Sequence, residues 1–136
     1  MKKIIKKIVV VTLACMFLLN FSSQEASAAV NEPSLSKVWN LAQKGKYTGS
    51  GTAQYSNLYS NYWFTGVSKM KYSINNLGSK TITVNVYRSD SNVSYYRGYV
   101  PAYSSLSLTM NTNSSKKYEL RFSAPCNFTY SVSKGY

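Results

Sequence analysis

Side chains able to make or break covalent bonds are scarce in this chain. Its 136 residues include no histidine, two cysteines, and 4 Asp and Glu against 16 Lys and Arg. Without histidine there is no Ser-His-Asp or Cys-His nucleophile system and no ordinary zinc site. The acids are Glu25, Glu32, Asp90 and Glu119. Glycoside hydrolysis needs two carboxylates facing each other across the scissile bond. Asp90 lies in a turn-forming stretch, and Glu119 stands between Lys117 and Arg121, where a cross-strand ion pair is its ordinary use. Gly49 and Gly51 lack the following Lys-Ser/Thr of a phosphate-cradling loop. Calcium asks for more oxygen anions than these. The reading is a protein that is not an enzyme, with no cofactor and no metal.

Binding chemistry is plentiful instead. The chain carries 13 tyrosines and two tryptophans, which pair a flat apolar face with a polar tip and suit wet interfaces. The densest aromatic run spans Tyr55 to Phe64, and Lys69 and Lys71 follow it. Tyr55, Tyr59, Tyr62, Trp63, Lys69 and Lys71 are therefore the expected ligand- or membrane-binding residues. Sugar rings, membrane interfaces and single-stranded nucleic acid can all use such a surface; export from the cell argues against the last. The plainer alternative makes Trp63 and Phe64 core, leaves tyrosines rimming the strands, and uses the lysines to discourage edge-to-edge pairing.

Export is read from the first residues. Met1 to Lys7 is a positive region, Ile8 to Leu19 an apolar run of 12 residues, and Ala26-Ser27-Ala28 the small-x-small pattern that precedes signal-peptidase cleavage. That apolar run is short for a membrane helix, which needs about 20 residues. Residues 1–28 are thus expected to be a secretory signal peptide, and 29–136 one secreted, extracellular domain, from a Gram-positive bacterium. The whole chain carries +12; four of its 16 bases and one of its 4 acids lie in the leader, so the mature part carries +9. Such a charge favours anionic partners. One cysteine, Cys126, remains in the mature part, so no internal disulfide can form and stability must come from sheet pairing and aromatic burial.

The elements that must hold these residues follow from periodicity. Leu35, Val38, Trp39 and Ala42 recur at helical spacing, with Pro33 before them and Gly45 after, which predicts a short amphipathic helix over about 34–44. Thr48 to Gly51 reads as a flexible joint. A period of two then takes over, with the sheet expected over about 52–134. Met70, Tyr72 and Ile74 alternate with Lys69, Lys71 and Ser73; Ile82, Val84 and Val86 alternate with Thr83 and Asn85. Val93, Tyr95, Arg97 and Tyr99 share one face and Tyr96, Gly98 and Val100 the other, and the pattern leaves open which is buried. Leu106, Leu108 and Met110, then Tyr118, Leu120 and Phe122, then Phe128, Tyr130 and Val132 complete the rows. The fold class is all-β, a small antiparallel β-sandwich of six to seven strands with one short N-terminal amphipathic helix.

Two local resemblances bear on function. Asn57 to Trp63 resembles the aromatic lipid-head-group patch of the actinoporins, which join an N-terminal amphipathic helix to a β-sandwich. That resemblance implies Tyr59, Tyr62 and Trp63 as lipid contacts and Leu35 to Ala42 as an inserting helix. Tyr59 to Tyr62, followed by Ser73 to Lys80, is similar to a stretch of the Sec-exported lactococcin-type bacteriocins, whose histidines and aromatic C-terminal ending are absent here. The first expectation is a secreted, non-catalytic module that binds a cell-envelope ligand, either a cell-wall glycan or an anionic membrane surface. The alternative is a membrane-active bacteriocin-like or pore-forming toxin. Oligomeric state, ligand identity and the role of Cys126 stay open.

Overall fold

The computed structural model describes residues 26–136. The expected leader, apart from its last three residues, and Cys15 with it, lies outside the described residues. Eleven strands and one helical turn follow: β1 (Ala26–Ser27), β2 (Val38–Asn40), α1 (Leu41–Lys44), β3 (Tyr47–Ala53), β4 (Leu58–Tyr59), β5 (Trp63–Thr65), β6 (Lys69–Asn76), β7 (Ile82–Arg88), β8 (Ser94–Val100), β9 (Ser105–Asn111), β10 (Tyr118–Phe122) and β11 (Cys126–Lys134). Seven of them have five or more residues, and these carry the expected sandwich. They form two sheets, ordered β1-β3-β11-β6-β9 and β2-β5-β10-β7-β8, with β4 also paired to β10.

Period-two alternation does what it should in the long strands. Met70, Tyr72 and Ile74 of β6, Phe128, Tyr130 and Val132 of β11, Ile82, Val84 and Val86 of β7, and Tyr118, Leu120 and Phe122 of β10 are all buried between the sheets. Facing outward on the first sheet are Ser50, Thr129, Asn75 and Ser105 in one row, and Thr48, Ser131, Ser73 and Ser107 in the next. Buried Asn76 joins the loops at one end: its amide donates to the carbonyls of Lys80 (2.7 Å) and Val100 (3.0 Å), and its oxygen accepts from Gly78 N–H (2.9 Å).

Two expectations need correction. The helix is a single turn at Leu41–Lys44, not a segment over about 34–44. Val38 and Trp39 instead lie in β2, paired parallel to Trp63 and Phe64, and Leu35 is exposed in a turn. A helix of some ten residues is marginal alone, whereas β2 gives the same backbone partners in a sheet. Asn40 caps the turn that remains, its side-chain oxygen accepting from Ala42 and Gln43 N–H at 3.0 and 3.2 Å. The inserting helix implied by the actinoporin resemblance is therefore not formed, and among the described residues no helix is long and apolar enough to cross a membrane.

The supposed joint at Thr48–Gly51 is the second correction, because it is the middle of β3, paired along its length with β11. Its glycines serve packing rather than flexibility. A Cβ at Gly51 would lie 2.8 Å from both Phe128 Cζ and Leu58 Cδ1, and one at Gly49 would lie 2.6 Å from Tyr130 Cε1. The Phe128 ring cannot swing clear, since it stacks on Phe122 with centroids 3.9 Å apart. Gly51→Ala is expected to destabilise the fold by about 1–3 kcal/mol through overpacking. Gly78→Ala, whose new Cβ would meet its nearest atom at an ordinary 3.5 Å, should stay within about 0.5 kcal/mol. Urea denaturation of the two variants checks this.

Candidate functional site

The expected site residues do not come together. Trp63 is buried, 2% exposed, with its indole N–H donated to Pro33 O at 2.9 Å. Its place in the sheet explains why. Phe64 opposite Tyr118 points between the sheets, so Trp63 points outward, and the segment 30–37 crosses above it. Lys117 Nζ on Leu35 O (2.7 Å) and Trp63 N–H on Lys37 O (2.9 Å) fasten that segment down. Tyr62 sits half-buried against Trp39 and Tyr47, with centroids 5.4 and 5.5 Å away and Lys37 Nζ 5.1 Å from its ring. Tyr55 is 91% exposed in the loop after β3. Lys69 and Lys71 point outward from β6, on the opposite sheet from Tyr59. Of the expected six, only Tyr59 lines a polar hollow.

That hollow is a cleft of about 170 Å³ on the outer face of the second sheet, lined by Asn57, Tyr59, Asn85, Tyr87, Arg121 and Ser123 among others. Strand register builds it. Tyr59 of β4 stands opposite Arg121 of β10, Arg121 opposite Asn85 of β7, and Asn85 opposite Arg97 of β8, forming one outward row across four strands. The flanking rows add Tyr87 opposite Glu119, and Tyr99 opposite Thr83. Tyr99 is 60% exposed, and Arg97 is exposed beside it.

Arg121 is the fixed point. Its guanidinium carbon lies 3.8 Å from the centroid of Tyr87 and 5.3 Å from that of Tyr59, a cation–π sandwich. From within, Glu119 Oε1 accepts from its Nε (2.9 Å) and Nη2 (2.7 Å). Glu32, on the crossing segment, lies 3.7 Å from Nη2. The expected cross-strand pair for Glu119 is thus a same-strand pair with the residue two positions on. The carboxylate is wholly buried, and its Oε2 has no hydrogen-bond partner. Burial outweighs the guanidinium and pushes its pKa up to about 7. Asp90, held by Arg88 (2.5 Å) and Lys116 (3.1 Å), has its pKa lowered by those partners.

Chemically the face can stack and hydrogen-bond a ligand. Asp90 and Glu119 are each committed to arginine, and among the described residues no three His, Cys, Asp or Glu cluster as metal ligands. A larger hollow of about 330 Å³ lies at the loop end, lined by Thr52, Lys80, Pro125, Cys126 and Asn127 among others. Burial raises the pKa of the Cys126 thiol, which makes it a poorer nucleophile. Sequence reasoning missed Asn85, Tyr87, Arg97, Tyr99 and Arg121 as a group. The available signal was the Arg97-x-Tyr99 spacing of β8, whose exposed side the pattern left open; a bulge opposite Val86 and Tyr87 takes Tyr95 off that face, against buried Tyr118 at 5.8 Å.

No family model matches the chain, and no curated protein does. Among solved structures it is similar to the pre-peptidase C-terminal domain of collagenase from Bacillus anthracis, with 16% identity, 76% of this chain and 94% of that one covered, and a TM-score of 0.50. A ruminal GH26 endo-β-1,4-mannanase follows at 14% identity, covering 65% of this chain and 20% of that one, with a TM-score of 0.42. A family 29 carbohydrate-binding module matches at 8% identity over 67% of this chain and 66% of its own, with a TM-score of 0.36. The first likeness shows the fold, a β-sandwich, and nothing finer.

The buried carboxyl has a pH signature. Because the folded-state pKa of Glu119 stands above its ordinary value of 4.5, its contribution to stability is complete below that value and is lost as pH rises through about 7. Asp90 acts only below its ordinary 3.8, outside that window. The melting temperature should therefore fall between pH 5 and pH 8, and Glu119→Gln should flatten the fall. Thermal denaturation across that range measures both.

Proposed function

We propose that this chain is an exported, non-catalytic binding protein that holds a glycan of the cell envelope against the Tyr59–Arg121–Asn85–Arg97 row. The observation that carries the reading is that row itself. One aromatic and three hydrogen-bonding side chains cross four strands on a solvent face, with Tyr87 and Tyr99 in the flanking rows, and the row from Tyr59 to Asn85 lines a cleft of about 170 Å³. Sugar rings present apolar C–H faces and polar edges, so a tyrosine ring with an amide or guanidinium beside it meets both at once. Fixing Arg121 between two rings and a carboxylate lowers the entropy lost on binding. The sandwich frame supplies rigidity, since the site residues stand on paired strands rather than on loops.

Export supports an envelope ligand. The leader-like residues 1–28 and the positive charge of the remaining chain favour a location among the acidic polymers of a bacterial surface. The membrane-insertion route has lost its helix, and Trp63 its access to solvent.

Co-sedimentation with purified Gram-positive wall sacculi tests the reading. Tyr99→Ala and Tyr87→Ala are expected to weaken retention roughly five- to tenfold each, in line with about 1–1.5 kcal/mol per aromatic contact. Tyr62→Ala, whose ring packs on Trp39 and Tyr47 and does not line the cleft, should leave it unchanged. Wild-type retention by both site variants would refute the assignment of this face. N-terminal sequencing of exported protein should begin at Ala29.

A further inference from the structure

We infer that the ligand of this face is a glycan bearing negative charge, a carboxylate or a phosphodiester on its units, held by Arg97 and the Nη1 side of Arg121; this rests on the glycan reading above. The argument is a balance of donors and acceptors. Arg97 spends only its Nε, on Asn85 Oδ1 at 2.8 Å, and has no acidic partner among the described residues. Arg121 spends Nε and Nη2 on Glu119, with Glu32 3.7 Å from Nη2, and keeps Nη1. Asn85 Oδ1 also accepts from Ser94 Oγ (3.3 Å), so its amide N–H groups remain to donate. Asn57 is in the same condition, its Oδ1 accepting from Ala124 N–H at 3.0 Å.

Acceptors are few by comparison. The carboxylate nearest the cleft, Glu119, is buried behind Arg121. What remains are hydroxyls, and Ser123 Oγ is partly used by Thr83 N–H (2.8 Å). Neutral sugar hydroxyls donate as readily as they accept, and their donors would find weak partners here. Carboxylate and phosphate oxygens only accept, and a guanidinium matches either in a two-point, charge-assisted bond. The competing internal anion is Glu32, whose 3.7 Å approach to Arg121 is too long for a hydrogen bond. Arg97 and Arg121 stand on β8 and β10 with β7 between, about 10 Å apart from strand spacing. A polymer with charges on separate units can engage both; a single charged monomer engages one.

Calorimetric titration of the purified secreted chain at physiological ionic strength tests this. The ligands are polygalacturonate, its fully methyl-esterified form, and a poly(glycerol phosphate). At least one anionic polymer is expected to bind about tenfold or more tighter than the ester, since a hydrogen bond to a charged group contributes about 1.5–3 kcal/mol. Preference between the two anionic polymers tells carboxylate from phosphodiester. Arg97→Gln, an exposed substitution whose melting temperature should be unchanged, is expected to erase most of that preference. Glu32→Gln should strengthen anionic binding a few-fold by removing the negative charge 3.7 Å from Arg121. A double variant, Lys69→Gln with Lys71→Gln, should bind like wild type. Equal affinity for the ester, or an equal loss in the lysine variant, overturns the charge inference and leaves the glycan face standing. Binding to anionic vesicles, with none to any polymer or to sacculi, overturns both.

Discussion

A layer of aromatic rings between two sheets holds this protein together, and it fits because one strand yields its side chains. Phe122 of β10 and Phe128 of β11 stack across the core at 3.9 Å, and Tyr130 packs on both at 5.2 and 6.0 Å. The space for those rings is the bare backbone of β3 at Gly49 and Gly51. Cys126 is the one cysteine among the described residues and is free, so such burial must offset the entropy of ordering the chain. Close packing makes the layer intolerant of even one added methyl group.

Outside that layer, a second constraint shapes the surface. Strand alternation turns Trp63 and Glu119 outward, where neither a large indole nor a carboxyl pinned beneath an arginine is left in water. The segment 30–37 covers Trp63, bonded through Pro33, Leu35 and Lys37, and Arg121 lies over Glu119. Covering one half of the face leaves the other half, from Tyr59 to Arg97, open. The buried Glu119–Arg121 pair lies at the boundary. A pair like this is poor evidence of stability, because desolvation consumes most of the Coulomb attraction, and the raised pKa of Glu119 says the same. Its value is geometric: it fixes where the guanidinium stands, and the rings of Tyr59 and Tyr87 fix its plane.

The two faces of the sandwich differ in kind. The outer face of the β6 sheet is a lawn of serine, threonine and asparagine with Lys69 and Lys71 at one side. The outer face of the β10 sheet concentrates aromatic rings and guanidinium groups. Placing Lys69 and Lys71 beside the aromatic run was natural in one dimension, since few residues separate them. A turn at Gly66 to Ser68 carries the chain from one sheet to the other, so near neighbours in sequence end on opposite surfaces.

Much of the fold was legible because it rests on local pattern. The alternation of Ile82, Val84 and Val86, or of Tyr118, Leu120 and Phe122, already specifies strands with one buried side. The missing histidines and scarce acids restrict the chemistry without any coordinates. Other features were not legible, for physical reasons. The spacing of Leu35, Val38, Trp39 and Ala42 suits a helix, but pairing with β5 supplied Val38–Asn40 with partners that no window of sequence displays. Thr48 to Gly51 looks like a joint until the rings above it are seen. An alternating strand is symmetric about its own axis: the sequence says that Arg97 and Tyr99 share a side with each other, not which side meets water. Composition and periodicity therefore determined a β-sandwich rich in aromatic and basic side chains. Tertiary structure alone decided that Trp63 is covered, that Arg121 is fixed, and that four strands bring Tyr59, Arg121, Asn85 and Arg97 into one row, because register and cover are relations between distant segments.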